Sequence, residues 1–141
     1  MLNINQLLQE SISKDSSDLH LISGNPPRMR IHGSLISISD KNIIKKELIE
    51  ALYEIMPGNI QKEFENFGSV DFAYELENIS RFRVNIMRHL KGIGAIFRMI
   101  PSEPISLEEL NMPKVLNDLC KQTQGMILVT GKTGSGKSTT L

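Results

Sequence analysis

Cysteine is almost missing from this chain. Its one thiol, Cys120, leaves no partner for an intrachain disulfide and has no metal-ligating neighbours in the sequence. It sits among helix-like residues, where packing is the expected role. Net charge is missing as well: sixteen basic and sixteen acidic residues cancel. That balance argues against the broad positive footprint of a nucleic-acid or anionic-membrane binder, so no nucleic-acid partner is expected. No apolar run approaches the roughly 20 residues a membrane-spanning helix needs. The first residues, Met1-Leu2-Asn3-Ile4-Asn5-Gln6, lack the charged-then-apolar order of a secretory leader. Internal repeats and low-complexity stretches are absent, and His20, His32 and His89 are too scattered for a metal site. What is present, 40% hydrophobic and 23% charged residues, is the composition of a soluble globular core, which fits the cytosol.

The 141 residues suffice for one ordinary domain and a piece of another. Ile4, Leu7, Leu8 and Ile12 recur at helical spacing and predict a short amphipathic helix over 4–13. Alternation then predicts strands at Asp18–Ile22, at Arg28–His32 after the Gly24-Asn25-Pro26-Pro27 turn, and at Leu35–Ile38. Asp40 is placed to cap a helix whose apolar stripe runs Ile43, Ile44, Leu48, Leu52, Ile55 and Met56. Pro57-Gly58 ends that helix, and a shorter one follows around Ile60, Phe64 and Phe67. Residues 69–76 and 81–100 read as strands, the second stretch broken near Lys91-Gly92. The order predicts an α+β domain over 1–100 with a mostly antiparallel sheet. Pro101-Ser102-Glu103-Pro104 reads as a linker, and 101–124 as linker plus helix. Within it Ser106 and Glu109 have capping-box spacing, and Met112-Pro113 precedes a helix at about 114–122. The methionines fall at core-like spacings and suggest packing.

Residues 125–141 carry the chemistry. An apolar run, Met126-Ile127-Leu128-Val129-Thr130, predicts a buried strand leading into Gly131-Lys132-Thr133-Gly134-Ser135-Gly136-Lys137-Ser138. This is a full match to the phosphate-binding P-loop pattern in its required strand–loop–helix context. Three glycines let successive N–H groups converge on phosphate oxygens, and the helix that follows adds its unpaired N–H groups. Lys137 is the residue type that reaches the β- and γ-phosphates, and the Ser138 hydroxyl is placed to ligate Mg²⁺. Thr139, Thr140 and Leu141 make barely one turn beyond the loop. The expectation is therefore the front part of a longer ATPase, with the 126–130 strand short of a parallel partner.

Four further segments accompany the loop: Ser17-Asp18-Leu19-His20-Leu21, Pro26-Pro27-Arg28-Met29-Arg30-Ile31-His32-Gly33, Arg81-Phe82-Arg83-Val84-Asn85 and Ala95-Ile96-Phe97-Arg98-Met99-Ile100-Pro101. With the loop running on through Thr139-Thr140-Leu141, this ordered set resembles the type II/IV secretion ATPase family. The short lead-in before Ser17 favours its branch of type IV pilus retraction (twitching-motility) motors. The resemblance implies a PAS-like N-terminal domain, a linker and the truncated start of a RecA-like P-loop domain. It also implies ATP and Mg²⁺ as ligands, a cytoplasmic homo-hexamer, and work at the inner-membrane pilus assembly platform. Residues 131–139 would bind nucleotide, and Arg83 and Arg98 match arginines that reach its phosphates. Guanidinium suits that task, being always charged and able to grip two oxygens. Arg81 and Arg83 can equally be a solvated sheet face, and Lys91 stands where many relatives carry arginine. Arg28 and Arg30 could line a subunit contact or simply face solvent. The alternatives are a subunit-interaction module without its own catalysis, or a paralogous accessory pilus or secretion ATPase.

Overall fold

The computed structural model describes residues 2–77, 79–100, 106–132 and 135–140, with the backbone alone at Ser138. The chain divides into two compact units, Met1–Pro101 and Ser102–Leu141. The Pro101-Ser102-Glu103-Pro104 stretch that reads as a linker lies outside the described residues.

The first unit is an α+β domain. Helix α1 (Ile4–Ser13) starts where the Asn3 side chain accepts a hydrogen bond from the Gln6 N–H at 3.0 Å. Strands β1 (Asp18–Ile22), β2 (Arg28–Ile31) and β3 (Ser34–Ser37) follow, then helices α2 (Lys45–Ile55) and α3 (Gly58–Phe67). Strands β4 (Ser69–Leu76), β5 (Ser80–His89) and β6 (Gly92–Ile100) complete one six-stranded sheet in the order β3-β2-β1-β6-β5-β4. Every neighbouring pair is antiparallel.

The sheet has two unlike faces because side chains alternate along each strand. Leu19 stands beside Met29 and Phe97, and Phe97 beside Val84, so the apolar residues line up across the strands. Ile4 and Leu8 of α1, Leu48 and Leu52 of α2, and Phe64 of α3 close over that face in a single core. Each fully buried Leu or Phe there contributes about 1.5–3 kcal/mol relative to exposure. Phe64 meets the Tyr53 ring edge-on at 6.5 Å, and the Arg88 guanidinium lies 5.0 Å from its centroid. The Tyr74 hydroxyl donates to Asn5 Oδ1 at 2.7 Å, tying β4 to α1.

Two expectations for this unit are corrected. Asp40 does not cap α2, whose N-cap position is Ile44 with no side-chain bond. Ile43 donates its N–H to Asn25 and accepts from the Gly24 N–H, both at 2.9 Å, which holds the chain out of the helix until Lys45. Phe67, placed in the α3 stripe, is 78% exposed.

In the second unit the Ser106–Glu109 capping box forms reciprocally. The Glu109 carboxylate accepts from the Ser106 N–H at 2.9 Å, and Ser106 Oγ accepts from the Glu109 N–H at 3.2 Å. Helix α4 covers Val115–Cys120, and α5 covers Lys137–Thr140. Cys120 is exposed rather than packed, and so is Met126. The 126–130 run is not a buried strand: Met126, Ile127 and Leu128 are 81%, 57% and 72% exposed, with no strand pairing among the described residues. A strand is defined by its ladder partner, and none of the sheet pairings involves these residues.

Candidate functional site

The candidate side chains fall into two groups, one in each unit. In the second unit the Ser135 N–H donates to the Lys132 carbonyl at 3.2 Å. Gly136 has φ of +88°, a region that L side chains rarely adopt, and it sits immediately before α5. Gly131 also has positive φ, +155°, and a Cβ there would stand 2.5 Å from Ser135 Oγ, which would have to rotate away. Lys137 opens α5, and its ammonium donates back across the loop to the Lys132 carbonyl at 2.8 Å. The lysine charge is thus held over the loop. The Thr140 N–H and hydroxyl both return to the Gly136 carbonyl, at 3.0 and 2.9 Å, closing the helical turn. Thr133, Gly134 and the Ser138 side chain lie outside the described residues. The arrangement sets a lysine ammonium at a loop-to-helix junction, a combination of positive charge and helix-start N–H groups that suits an anion.

In the first unit the sheet face turned away from the core carries the charge. Register places Arg30, Asp18, Arg98 and Arg83 side by side across β2, β1, β6 and β5. Arg83 and Arg98 are direct cross-strand partners, so the two arginines predicted from sequence are brought together. Like charges facing each other are unfavourable unless each is compensated. Both are, by carboxylates from the flanking strands. Asp71 on β4 grips Arg83 with both oxygens: Nε donates to Oδ1 and Oδ2 at 3.0 and 3.1 Å, and Nη2 donates to Oδ2 at 2.7 Å. Asp18 on β1 accepts from Arg98 Nε at 2.9 Å through Oδ1. Its Oδ2 takes the Ser17 hydroxyl at 2.9 Å and stands 3.3 Å from Arg30 Nε.

The two pairs differ in burial. The Asp18 side chain is 7% exposed, whereas that of Asp71 is 40% exposed. Burial alone pushes the Asp18 carboxyl up, but the hydrogen bonds from Arg98 and Ser17 outweigh it and hold Asp18 below the usual carboxylate range. For Asp71 the Arg83 hydrogen bond dominates and the direction is again down. Between the two arginines lies a shallow depression of about 290 Å³, lined by Asp71, Arg83, Asn85, Ile96 and Arg98. Arg81 shares this face opposite Glu75, and Lys91 lies in the exposed β5–β6 turn.

Sequence reasoning assigned no role to Asp18 or Asp71. Their signal was present in part, because alternation puts Asp18 on the same face as His20, away from Leu19 and Leu21. The partner arginine, eighty positions along the chain, could not be read from that pattern.

Known proteins sharpen the picture. The chain is 41% identical over 140 residues to the type IV pilus retraction ATPase PilT of Pseudomonas aeruginosa, covering 99% of this chain and 41% of that one. It is 38% identical over 139 residues to a twitching motility protein of Neisseria gonorrhoeae, covering 99% and 37%. The crystal structure of the pilus retraction motor PilT with bound ADP superimposes with a TM-score of 0.87 at 34% identity, covering 99% of this chain and 41% of that chain. The Legionella pneumophila ATPase DotB superimposes with a TM-score of 0.79 at 26% identity, covering 96% and 39%. The chain therefore spans about two fifths of the length of these relatives. The family model for type II/IV secretion system proteins matches residues 1–141 throughout, and the chain belongs to that family.

Proposed function

We propose that this chain is the nucleotide-binding N-terminal part of an ATP-hydrolysing hexameric motor that drives type IV pilus retraction. The observation that carries the reading is the P-loop pattern running directly into a helix. Gly136 turns with positive φ, α5 begins at Lys137, and the lysine ammonium bends back over the loop. Relatives named as retraction and twitching-motility proteins, one solved with ADP, support the choice of branch.

In this reading the amides of residues 131–139 and the Lys137 ammonium hold the phosphates, and Ser138 is the Mg²⁺ ligand. When bound, the metal neutralises phosphate charge. Arg83 and Arg98 supply guanidinium charge to the transferring phosphoryl group, the kind of contact worth several orders of magnitude in turnover. The full-length protein is expected to work in the cytoplasm, at the inner membrane through the pilus assembly platform. Among the described residues no helix is long and apolar enough to cross a membrane. Residues 1–141 alone are expected to be inactive.

The test is ATP turnover and oligomer size of the full-length protein beside Lys137→Ala. Hydrolysis by a hexamer, reduced about a hundredfold or more by the substitution, is the expected result. A full-length protein with no turnover would overturn it.

A further inference from the structure

The two arginines of the outer sheet face are held in unequal ways. Arg83 gives Nε and Nη2 to Asp71, a carboxylate that is itself 40% exposed. Arg98 gives only Nε, to Asp18 Oδ1; its Nη1 and Nη2 make no hydrogen bond among the described residues, and its side chain is 68% exposed. Guanidinium is planar and rigid, so holding Nε against a buried carboxylate restrains where both Nη groups lie. The carboxylate is itself fixed, since Ser17 Oγ and Arg30 Nε occupy its other oxygen. Strand β1 lies between β2 and β6, so the anchor sits inside the sheet, not at an edge. Arg98 is thus held by a buried carboxylate with its outer donors unspent, while the carboxylate that holds Arg83 is open to solvent.

Resting on the ATPase reading above, we propose that Asp18 is a positioning residue for the reaction: it orients Arg98 so that the Nη groups are presented to phosphate. Asp18 touches no substrate, and its effect passes through Arg98. A pre-oriented donor loses little freedom when the transition state forms, and the benefit therefore falls on kcat.

The test is a double-mutant cycle on ATP turnover in the full-length protein, with Lys137→Ala as the reference for lost hydrolysis. Arg98→Ala is expected to lower kcat about a hundredfold, and Asp18→Asn about tenfold with KM within about twofold. The double variant is expected within about twofold of Arg98→Ala, because no guanidinium is left to orient. Oligomer size and melting temperature accompany each variant. If Asp18→Asn does not fold, Asp18→Glu replaces it in the same cycle, keeping the charge but moving the carboxylate by one methylene. Losses that multiply in the double variant, or an Asp18 variant with unchanged kcat, overturn the assignment while the ATPase reading stands. Wild-type turnover no faster than that of Lys137→Ala overturns the ATPase reading, and the assignment of Asp18 falls with it.

Discussion

At the scale of single residues, His20 shows how placement overrides intrinsic chemistry. It lies on the charged face of β1, opposite Arg28 on β2 and Ile96 on β6, and its Nε2 is buried without a hydrogen-bond partner among the described residues. Burial pushes its pKa below the ordinary 6.5; Arg30, Arg98 and Arg28 push the same way, and Asp18 opposes them. The unfolded chain therefore takes up the proton first as pH falls. Stability from neutral His20 is complete above about 6.5 and is lost from there down to the lowered folded value. Asp18 works in a separate, more acidic window. Its folded pKa lies below 3.8, so its contribution is present above that value and is lost as pH falls through the folded one. Urea unfolding at pH 7.5 and 5.5 is expected to show wild type losing more stability than His20→Gln between the two. Equal losses would show that His20 is not a source of the slope.

At the scale of elements, the clearest lesson is α2. Its apolar stripe was legible from sequence, and Leu48, Leu52 and Met56 are buried as that spacing requires. Its start was not legible. Asp40 has the right chemistry for a cap, but Ile43 is bound to the β1–β2 turn by two backbone hydrogen bonds, so the helix begins later. The consequence is an uncapped N-terminus at Ile44, which is 61% exposed and stands three residues before Glu47. Ile44→Ser would give the N-cap a side-chain oxygen to accept a first-turn N–H and is expected to stabilise the domain by about 1 kcal/mol. A urea midpoint that stays put or falls would show that the exposed Ile44 contributes contacts worth more than the cap. The strands were easier to read, because two-residue alternation is set by immediate neighbours.

For the whole molecule, the 126–130 run is the informative segment. Five apolar-rich residues have strand composition, yet Met126–Leu128 are exposed and unladdered. Composition gives a strand its preference, but pairing makes it one. Hydrogen exchange on residues 1–141 is expected to leave the Ile127 and Leu128 amides near unprotected rates, while Val84 and Phe97 are slowed roughly a thousandfold. In the full-length protein the same Ile127 and Leu128 amides are expected to become protected, as the proposed P-loop strand gains parallel neighbours. Continued fast exchange there would count against a RecA-like sheet around this segment.

The sequence by itself determined what depends on residues a few positions apart: helical stripes, strand alternation, the Ser106–Glu109 box and the P-loop pattern with its lysine. These are local because their geometry repeats within one or two turns. Tertiary structure alone decided which charges meet. The order β3-β2-β1-β6-β5-β4 lays the first strand against the last, so Asp18 finds Arg98 across eighty positions. Asp71 finds Arg83 twelve positions on, because β4 and β5 form a hairpin. Whether an arginine on an exposed face is idle or anchored rests on these long-range pairings, which no local period encodes.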